Sequence, residues 1–160
     1  VVQNVVESVV SEVMERADEK HITVRRHFGI PQISTEVDEE RIRHCVQNFF
    51  DNAIKYSPEK SVIDLSLLEE DGGVAFRVKD MGVGLDHVDL ENLFQKFYRS
   101  SRVIRDFQGS GLGLYVVKEF IEAHGGRVWA KSDGVGKGSE FGFWIPIGGK
   151  KQVSTEHPAA

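Results

Sequence analysis

Asn48-Phe49-Phe50-Asp51-Asn52-Ala53-Ile54-Lys55-Tyr56-Ser57-Pro58 carries two periodicities at once, one apolar and one polar. Ile42, Cys45, Val46, Phe49, Phe50, Ala53 and Ile54 recur at three- and four-residue steps, the buried stripe of an amphipathic helix. Asn48, Asn52 and Lys55 stand at i, i+4 and i+7 and share a second stripe. Two asparagines one turn apart cost helix propensity. Amide oxygens are hard neutral ligands suited to Mg2+, and lysine adds a point charge for phosphate. A solvated polar face is the plain alternative. Asp38 is placed to cap this helix, Glu39 and Glu40 oppose its dipole, and Pro58 lies just past its end.

Upstream, Val5, Val6, Val9, Val10, Val13, Met14 and Ala17 make residues 4–20 a first helix, with Asn4 as its cap. Ile22–Phe28 alternates as a strand ended by Gly29 and Pro31, and a short strand near Ile33–Val37 is expected to pair with it. Downstream, residues 62–69 and 74–79 are β-like and join across Asp71-Gly72-Gly73, a hairpin signal. Leu90–Phe97 reads as a short helix, and 98–111 as a polar, glycine-containing loop of a length that is usually functional. Leu112–His124 is a further helix stopped by Gly125-Gly126. Arg127–Lys131 and Glu140–Ile147 form a last hairpin, with Phe141, Phe143, Ile145 and Ile147 on one face. The expected fold is an α/β (α+β) two-layer sandwich, a mixed, mainly antiparallel sheet covered on one face by three helices. One folded domain spans residues 1–147, and the polar stretch 148–160 is expected to be a disordered tail.

Composition narrows the functional classes. The 160 residues (18.0 kDa) suffice for one core without disulfides or a structural metal. No run approaches the roughly 20 apolar residues of a membrane span, and Val1-Val2 leads into a helix bearing Glu7 and Glu12, unlike a signal peptide. The single cysteine excludes an internal disulfide framework and fits a reducing compartment. A net charge of -5 argues against nucleic-acid binding. The sixteen glycines fall almost entirely from Gly72 onward.

Three further patterns carry chemistry. Asp80-Met81-Gly82-Val83-Gly84 follows a strand. An ionised carboxylate accepts hydrogen bonds but cannot donate, so it suits an exocyclic amino group such as that of adenine and repels a guanine carbonyl. The two glycines let a ligand ring approach the backbone, although an ordinary Asp-Gly loop has the same composition. Gly109-Ser110-Gly111-Leu112-Gly113-Leu114 runs into a helix, where bare amides and the dipole favour an anion. It lacks the Rossmann spacing and the Gly-Lys-Ser/Thr of a P-loop. Phe94 and Phe97 sit at i and i+3 just before the polar loop. They are either simple core or the anchors of a hinged cover.

In this order and spacing the four patterns resemble the catalytic, ATP-binding domain of sensor histidine kinases, in the GHKL superfamily shared with gyrase, the heat-shock chaperone ATPase and the mismatch-repair ATPase. Asn48–Pro58 resembles the N box, Asp80–Gly84 the first glycine box, Phe94–Phe97 the F box and Gly109–Leu114 the second glycine box. Gly136-Lys137-Gly138-Ser139-Glu140-Phe141 resembles the last glycine-rich element, with serine where threonine is frequent. The resemblance covers residues 4–147. It implies Mg2+ held by Asn48 and Asn52, phosphates near Lys55, the nucleotide near Tyr56, and the adenine amino group on Asp80 beside Gly82, Gly84 and Ser139. It further implies an ATP lid over 98–111, backbone contacts to phosphate from Gly109, Ser110, Gly111, Leu112, Gly113 and Leu114, and Arg99, Arg102 or Arg105 as partner of the γ-phosphate. Phe94 and Phe97 would anchor the lid.

Hydrolytic members of the superfamily carry a glutamate four residues before the magnesium asparagine. Here that position is Asn48, and an amide has no useful basicity. The resemblance therefore implies phosphotransfer to histidine, with Asn48, Asn52 and Lys55 as the catalytic set. None of the six histidines lies in the family's acceptor segment, and only His44 shares the Asn48 stripe. The chain thus resembles a piece of a longer cytoplasmic kinase region, whose parent could be membrane-anchored. Its partners would be ATP, a separate histidine-bearing dimerisation domain and a response regulator. The alternatives are a nucleotide-binding interaction module, as in anti-sigma or scaffold proteins, and a hydrolytic ATPase.

Overall fold

Six valines would weaken an isolated 18-residue helix, because branching at Cβ restricts χ1. Packing overrides this in α1 (Val2–Glu19), where Val2, Val5, Val6, Val9, Val10 and Val13 are all buried. The computed structural model describes residues 2–29, 36–98 and 113–147. After α1 come β1 (Thr23–Phe28), α2 (Glu39–Tyr56), β2 (Val62–Glu70), β3 (Gly73–Asp80), α3 (His87–Asn92), α4 (Gly113–Ala123), β4 (Arg127–Lys131) and β5 (Ser139–Pro146). The strands form one sheet in the order β1-β2-β3-β5-β4. Only the β1–β2 pair is parallel, so the sheet is mixed and mainly antiparallel as expected.

The β2–β3 connection follows directly from sequence. Glu70 pairs with Gly73, leaving Asp71-Gly72 as a two-residue loop with φ of 52° and 72°. Positive φ at both central positions is what a tight hairpin with right-handed twist requires. The expected partner for β1 near Ile33–Val37 is not its neighbour in the described sheet. Glu36–Asp38 is not strand, residues 30–35 lie outside the described residues, and β1 pairs with β2.

One sheet face carries Ile63, Leu65, Leu67, Val74, Phe76, Val78, Phe141, Phe143 and Ile145, all buried under the helices. Phe49 of α2 sits at its centre, with ring centroids 5.6 Å from Phe141 and 6.3 Å from Phe143. The opposite face is polar and aromatic. The Arg77 guanidinium lies over Trp129, whose indole N–H donates to Glu140, and Arg127 lies over Trp144, whose N–H donates to the Glu70 carbonyl. Gly142 and Gly73 leave the room in which these indoles lie flat.

Two pairings set α2 in place. Along α1, the Glu12–Arg43 and Arg16–Asp51 pairs and the Lys20 ammonium on the Ile54 carbonyl run in the same order on both helices, so α1 and α2 are parallel. Against α4 the order reverses. The Asp38 N–H donates to His124 Nε2, His44 meets Phe120 edge-on, Cys45 approaches the Val117 carbonyl, and the Asn48 amide abuts Gly113. The helices α2 and α4 are therefore antiparallel, with the start of α4 beside the middle of α2.

The short helix departs from its expected bounds. Asp86 caps α3, and a reciprocal bond between Asp86 and Asp89 forms a capping box, so the helix begins at His87 and ends at Asn92. Residues 93–97 are turns instead. No helix among the described residues is long and apolar enough to cross a membrane. Phe49→Ala should cost about 3–5 kcal/mol of unfolding free energy, the range for emptying a core phenylalanine. Urea denaturation measures it, and a loss below about 1 kcal/mol would contradict its place at the centre of the core.

Candidate active site

Strand β3 ends on the core face with Asp80, only 5% exposed, paired in register with Ser139 of β5. Its carboxylate is satisfied locally. Oδ1 accepts from the Gly82 N–H at 2.8 Å and the Ser139 N–H at 3.2 Å, and Oδ2 accepts from the Ser139 hydroxyl at 3.0 Å. A carboxylate has roughly four lone-pair sites, so three donors leave acceptor capacity on Oδ2. Burial pushes the Asp80 pKa above the ordinary value of 3.8, against the opposing pull of these hydrogen bonds.

The glycines around Asp80 have an internal task first. A Cβ on Gly82 would run into the Tyr56 carbonyl at the end of α2. On Gly84 (φ 72°) it would strike the Gly134 carbonyl, and on Gly138 (φ 73°) the Asp80 carbonyl. The close approach expected of a ligand at Gly82 and Gly84 is thus made on these sides by the chain's own backbone. The 81–85 and 132–138 loops are also bonded, Gly136 N–H to the Val83 carbonyl and Gly138 N–H to the Gly82 carbonyl.

Helix α2 joins this end to a second one. Its last residue, Tyr56, touches the Asp80 loop, while Asn48 two turns earlier meets Gly113 at the start of α4, 2.6 Å from where a Cβ would stand. The Asn52 amide donates to Asn48 Oδ1 at 3.2 Å, so the two asparagines share one spot beside a helix N-terminus. Lys55 is exposed, and Tyr56 and Ser139 are partly buried. Asp51 faces away, ion-paired to Arg16. Among the described residues no group of three or more His, Cys, Asp or Glu side chains could hold a metal ion.

The region before the polar loop is held by Phe94, as expected, and by groups the sequence reading did not single out. Leu93 is buried, Phe94 is packed against the core, and the Tyr98 hydroxyl donates to buried Asp89 at 2.6 Å. Phe97, expected as an anchor beside Phe94, is 63% exposed with φ 65°, and its ring lies under the Lys96 ammonium. That backbone conformation is rare for bulky side chains, and the exposed ring means that Phe97 does not anchor by burial here. Leu114 packs against the core. Arg99, Arg102, Arg105, Gly109, Ser110, Gly111 and Leu112, with the lid except Tyr98 and the 148–160 tail, lie outside the described residues.

The family model for the histidine kinase-, DNA gyrase B-, and HSP90-like ATPases matches residues 37–149. The chain belongs to this family. Among relatives, the sensor histidine kinase WalK of Bacillus subtilis (strain 168) is 35% identical over 142 residues, 87% of this chain and 23% of WalK. The adaptive-response sensory kinase SasA of Synechococcus sp. (strain JA-3-3Ab) is 33% identical over 87% of this chain and 37% of its own length. The chain thus spans between 23% and 37% of these relatives' length. Among solved structures, the nucleotide-free catalytic domain of histidine kinase ThkA superposes with a TM-score of 0.81 at 25% identity, covering 93% of this chain and 94% of that one. Full-length ShkA in complex with AMPPNP gives 0.80 at 30% identity, over 92% of this chain and 30% of ShkA.

Other residues of this histidine kinase-, gyrase- and HSP90-like domain take structural parts. Cys45 is buried with its thiol pKa pushed up to about 12 by burial, which removes it as a nucleophile. His44 serves α2–α4 packing through Phe120.

The raised Asp80 pKa has a stability consequence of definite sign. The folded state holds that proton more tightly than the unfolded chain, so folding is penalised as pH rises from the ordinary value of 3.8 through the raised one, and the penalty persists above it. Asp80→Asn abolishes the titration, while its amide oxygen can still accept from the Gly82 and Ser139 N–H groups. The stability of the variant relative to wild type should therefore increase across that window and level off above it. Urea denaturation at a series of pH values checks this, and parallel curves for the two proteins would contradict it.

Proposed function

We propose that this domain binds ATP with Mg2+ and, as the catalytic part of a sensor histidine kinase, transfers the γ-phosphate to a histidine on a separate dimerisation domain. The observation that carries the reading is the reach of α2, which touches the Asp80 loop at Tyr56 and the start of α4 at Asn48. Eight residues of helix span about 12 Å, a separation suited to a base at one end and phosphates at the other. Asp80 would take the adenine amino group on the capacity left at Oδ2, with Gly82, Gly84 and Ser139 fixing that carboxylate. The α4 N-terminus, including Gly113, would face the phosphates.

The donor set fits a metal that arrives with its nucleotide. Asn48 and Asn52 offer two amide oxygens, and no carboxylate cage stands among the described residues. Mg2+ keeps several waters and is usually held by few protein groups plus substrate phosphates. When bound, it would supply charge neutralisation at the phosphates. The residues themselves orient the nucleotide, and Lys55 adds positive charge at the edge of the site. Asn48 cannot activate water, and the nearest carboxylate on the helix, Asp51, is tied to Arg16. That favours an acceptor that is already nucleophilic, an imidazole, for which positioning does most of the work.

The further assignments rest on the family resemblance and the relatives: a response regulator as the downstream partner, a cytoplasmic setting, and a γ-phosphate contact from the lid through Arg99.

Calorimetry on this domain should detect ADP binding that depends on Mg2+, with GDP weaker by at least about tenfold. Mg2+ alone should give no heat of binding. Equal affinity for GDP, or binding indifferent to Mg2+, would overturn the base and metal assignments. With radiolabelled ATP the domain alone should neither become labelled nor release phosphate briskly. Adding the parent's acceptor-helix dimer should give acid-labile, base-stable label on that partner. Asn52→Asp should reduce this transfer at least about a hundredfold, since a carboxylate there alters the charge at Mg2+ and repels phosphate. Acid-stable label, or rapid phosphate release without an acceptor, would favour a serine kinase or a hydrolase.

A further inference from the structure

Ser132, the residue after β4, belongs to none of the patterns above. Its half-buried hydroxyl is nonetheless fully engaged. Ser132 Oγ accepts from the Leu85 N–H at 3.0 Å and the Gly134 N–H at 3.2 Å. It lies 2.6 Å from the Gly138 carbonyl and 3.2 Å from that of Gly134, so its proton goes to Gly138. One donor and two acceptor sites are thereby filled, the full capacity of a hydroxyl.

These bonds continue to Asp80 without a break. Gly138, whose carbonyl Ser132 holds, donates its N–H to the Gly82 carbonyl at 3.1 Å. Gly82 donates its own N–H to Asp80 Oδ1, and Ser139, the residue after Gly138, donates both its N–H and its hydroxyl to the same carboxylate. The donors to Asp80 at Gly82 and Ser139 therefore come from residues that Ser132 holds through Gly138. The Leu85 bond pins the far end of the same loop. Chains of hydrogen bonds polarise one another, and Gly82, Gly84 and Gly138 have no side chains of their own with which to resist drift.

We infer that Ser132 is a positioning residue for base recognition: it sets the two glycine loops that aim the remaining acceptor site on Asp80 Oδ2 at the amino group of the base. The inference rests on the nucleotide-binding reading and adds the group that orients its specificity-determining carboxylate. Ser132 touches no nucleotide; it acts through Gly82, Gly138 and Ser139.

The test compares Mg2+-ADP with Mg2+-IDP, whose base carries a carbonyl in place of the amino group, on wild type, Ser132→Ala and Ser132→Thr by calorimetry. Wild type should prefer ADP. Ser132→Ala should lose about tenfold in ADP affinity, the order expected for misaligning one hydrogen bond to a charged group, and less than about threefold for IDP. Ser132→Thr, which keeps the hydroxyl, should restore the preference. A wild type without any preference for ADP would overturn the nucleotide reading and this inference with it. A normal wild type with an unchanged ADP-to-IDP ratio in Ser132→Ala, whatever its melting temperature, would overturn the inference alone. Hydrogen exchange on wild type gives a check that needs no variant. Mg2+-ADP should slow the Leu85 and Gly134 amides together with those of Gly82 and Ser139, and slowing confined to the last two would overturn the proposal.

Discussion

A carboxylate buried at the end of a central strand needs donors, and Asp80 draws them from two segments that are far apart in sequence. Gly82 comes from the turn that immediately follows β3, and Ser139 from the first residue of β5. Strand pairing brings them together, since Asp80 and Ser139 are register partners. The loops can close on the carboxylate only because Gly84 and Gly138 leave backbone against backbone where a side chain would stand. Sheet register, glycine placement and the orientation of one oxygen are therefore a single constraint. An ionised Asp80 is costly to bury, and that cost is sensible where an amino group is to be recognised.

Helix α2 transmits this constraint to the other end of the site. Its buried apolar stripe meets the sheet through Phe49, and its sides are fixed by α1 and α4. The α4 contacts extend from Asp38–His124 at one end to Asn48–Gly113 at the other. Because Asp38 donates its N–H to His124 Nε2, the imidazole proton sits on Nδ1 and is directed at the Phe120 carbonyl, 2.8 Å away. The polar stripe thus meets an N-terminus whose distance from the Asp80 loop is set by a rigid helix rather than by a loop.

The local features were legible in sequence because their causes are local. The Asp71-Gly72 turn, the alternation of Phe141, Phe143 and Ile145, and the two stripes of α2 each follow from residues within one element. The joint spacing of the glycine and asparagine patterns also pointed to the family. What sequence missed depends on partners brought close only by folding. Gly82 is small for the sake of Tyr56, Gly84 for Gly134, and Gly142 for Trp129, and no local pattern names such a partner. Ser132 stands in none of the sequence patterns, yet it is the junction of two glycine segments. The parallel β1–β2 pairing, with α2 between the two strands in sequence, was hidden by the expectation of a nearby hairpin. The start of α3 was misread because the Asp86–Asp89 capping box outweighed the apolar spacing of Leu90–Phe97.

One helix, α2, is proposed to hold both ends of one nucleotide site. Nuclear magnetic resonance titration with Mg2+-ADP addresses it most directly, through the backbone amides of Gly82 and Gly113 and the side-chain amides of Asn48 and Asn52. All four sets of signals should shift along one saturation curve, and the asparagine signals should respond far less when Mg2+ is withheld. Shifts at the Asp80 loop that saturate separately from those at Asn48, Asn52 and Gly113, or that leave the asparagines unmoved at saturation, would contradict it.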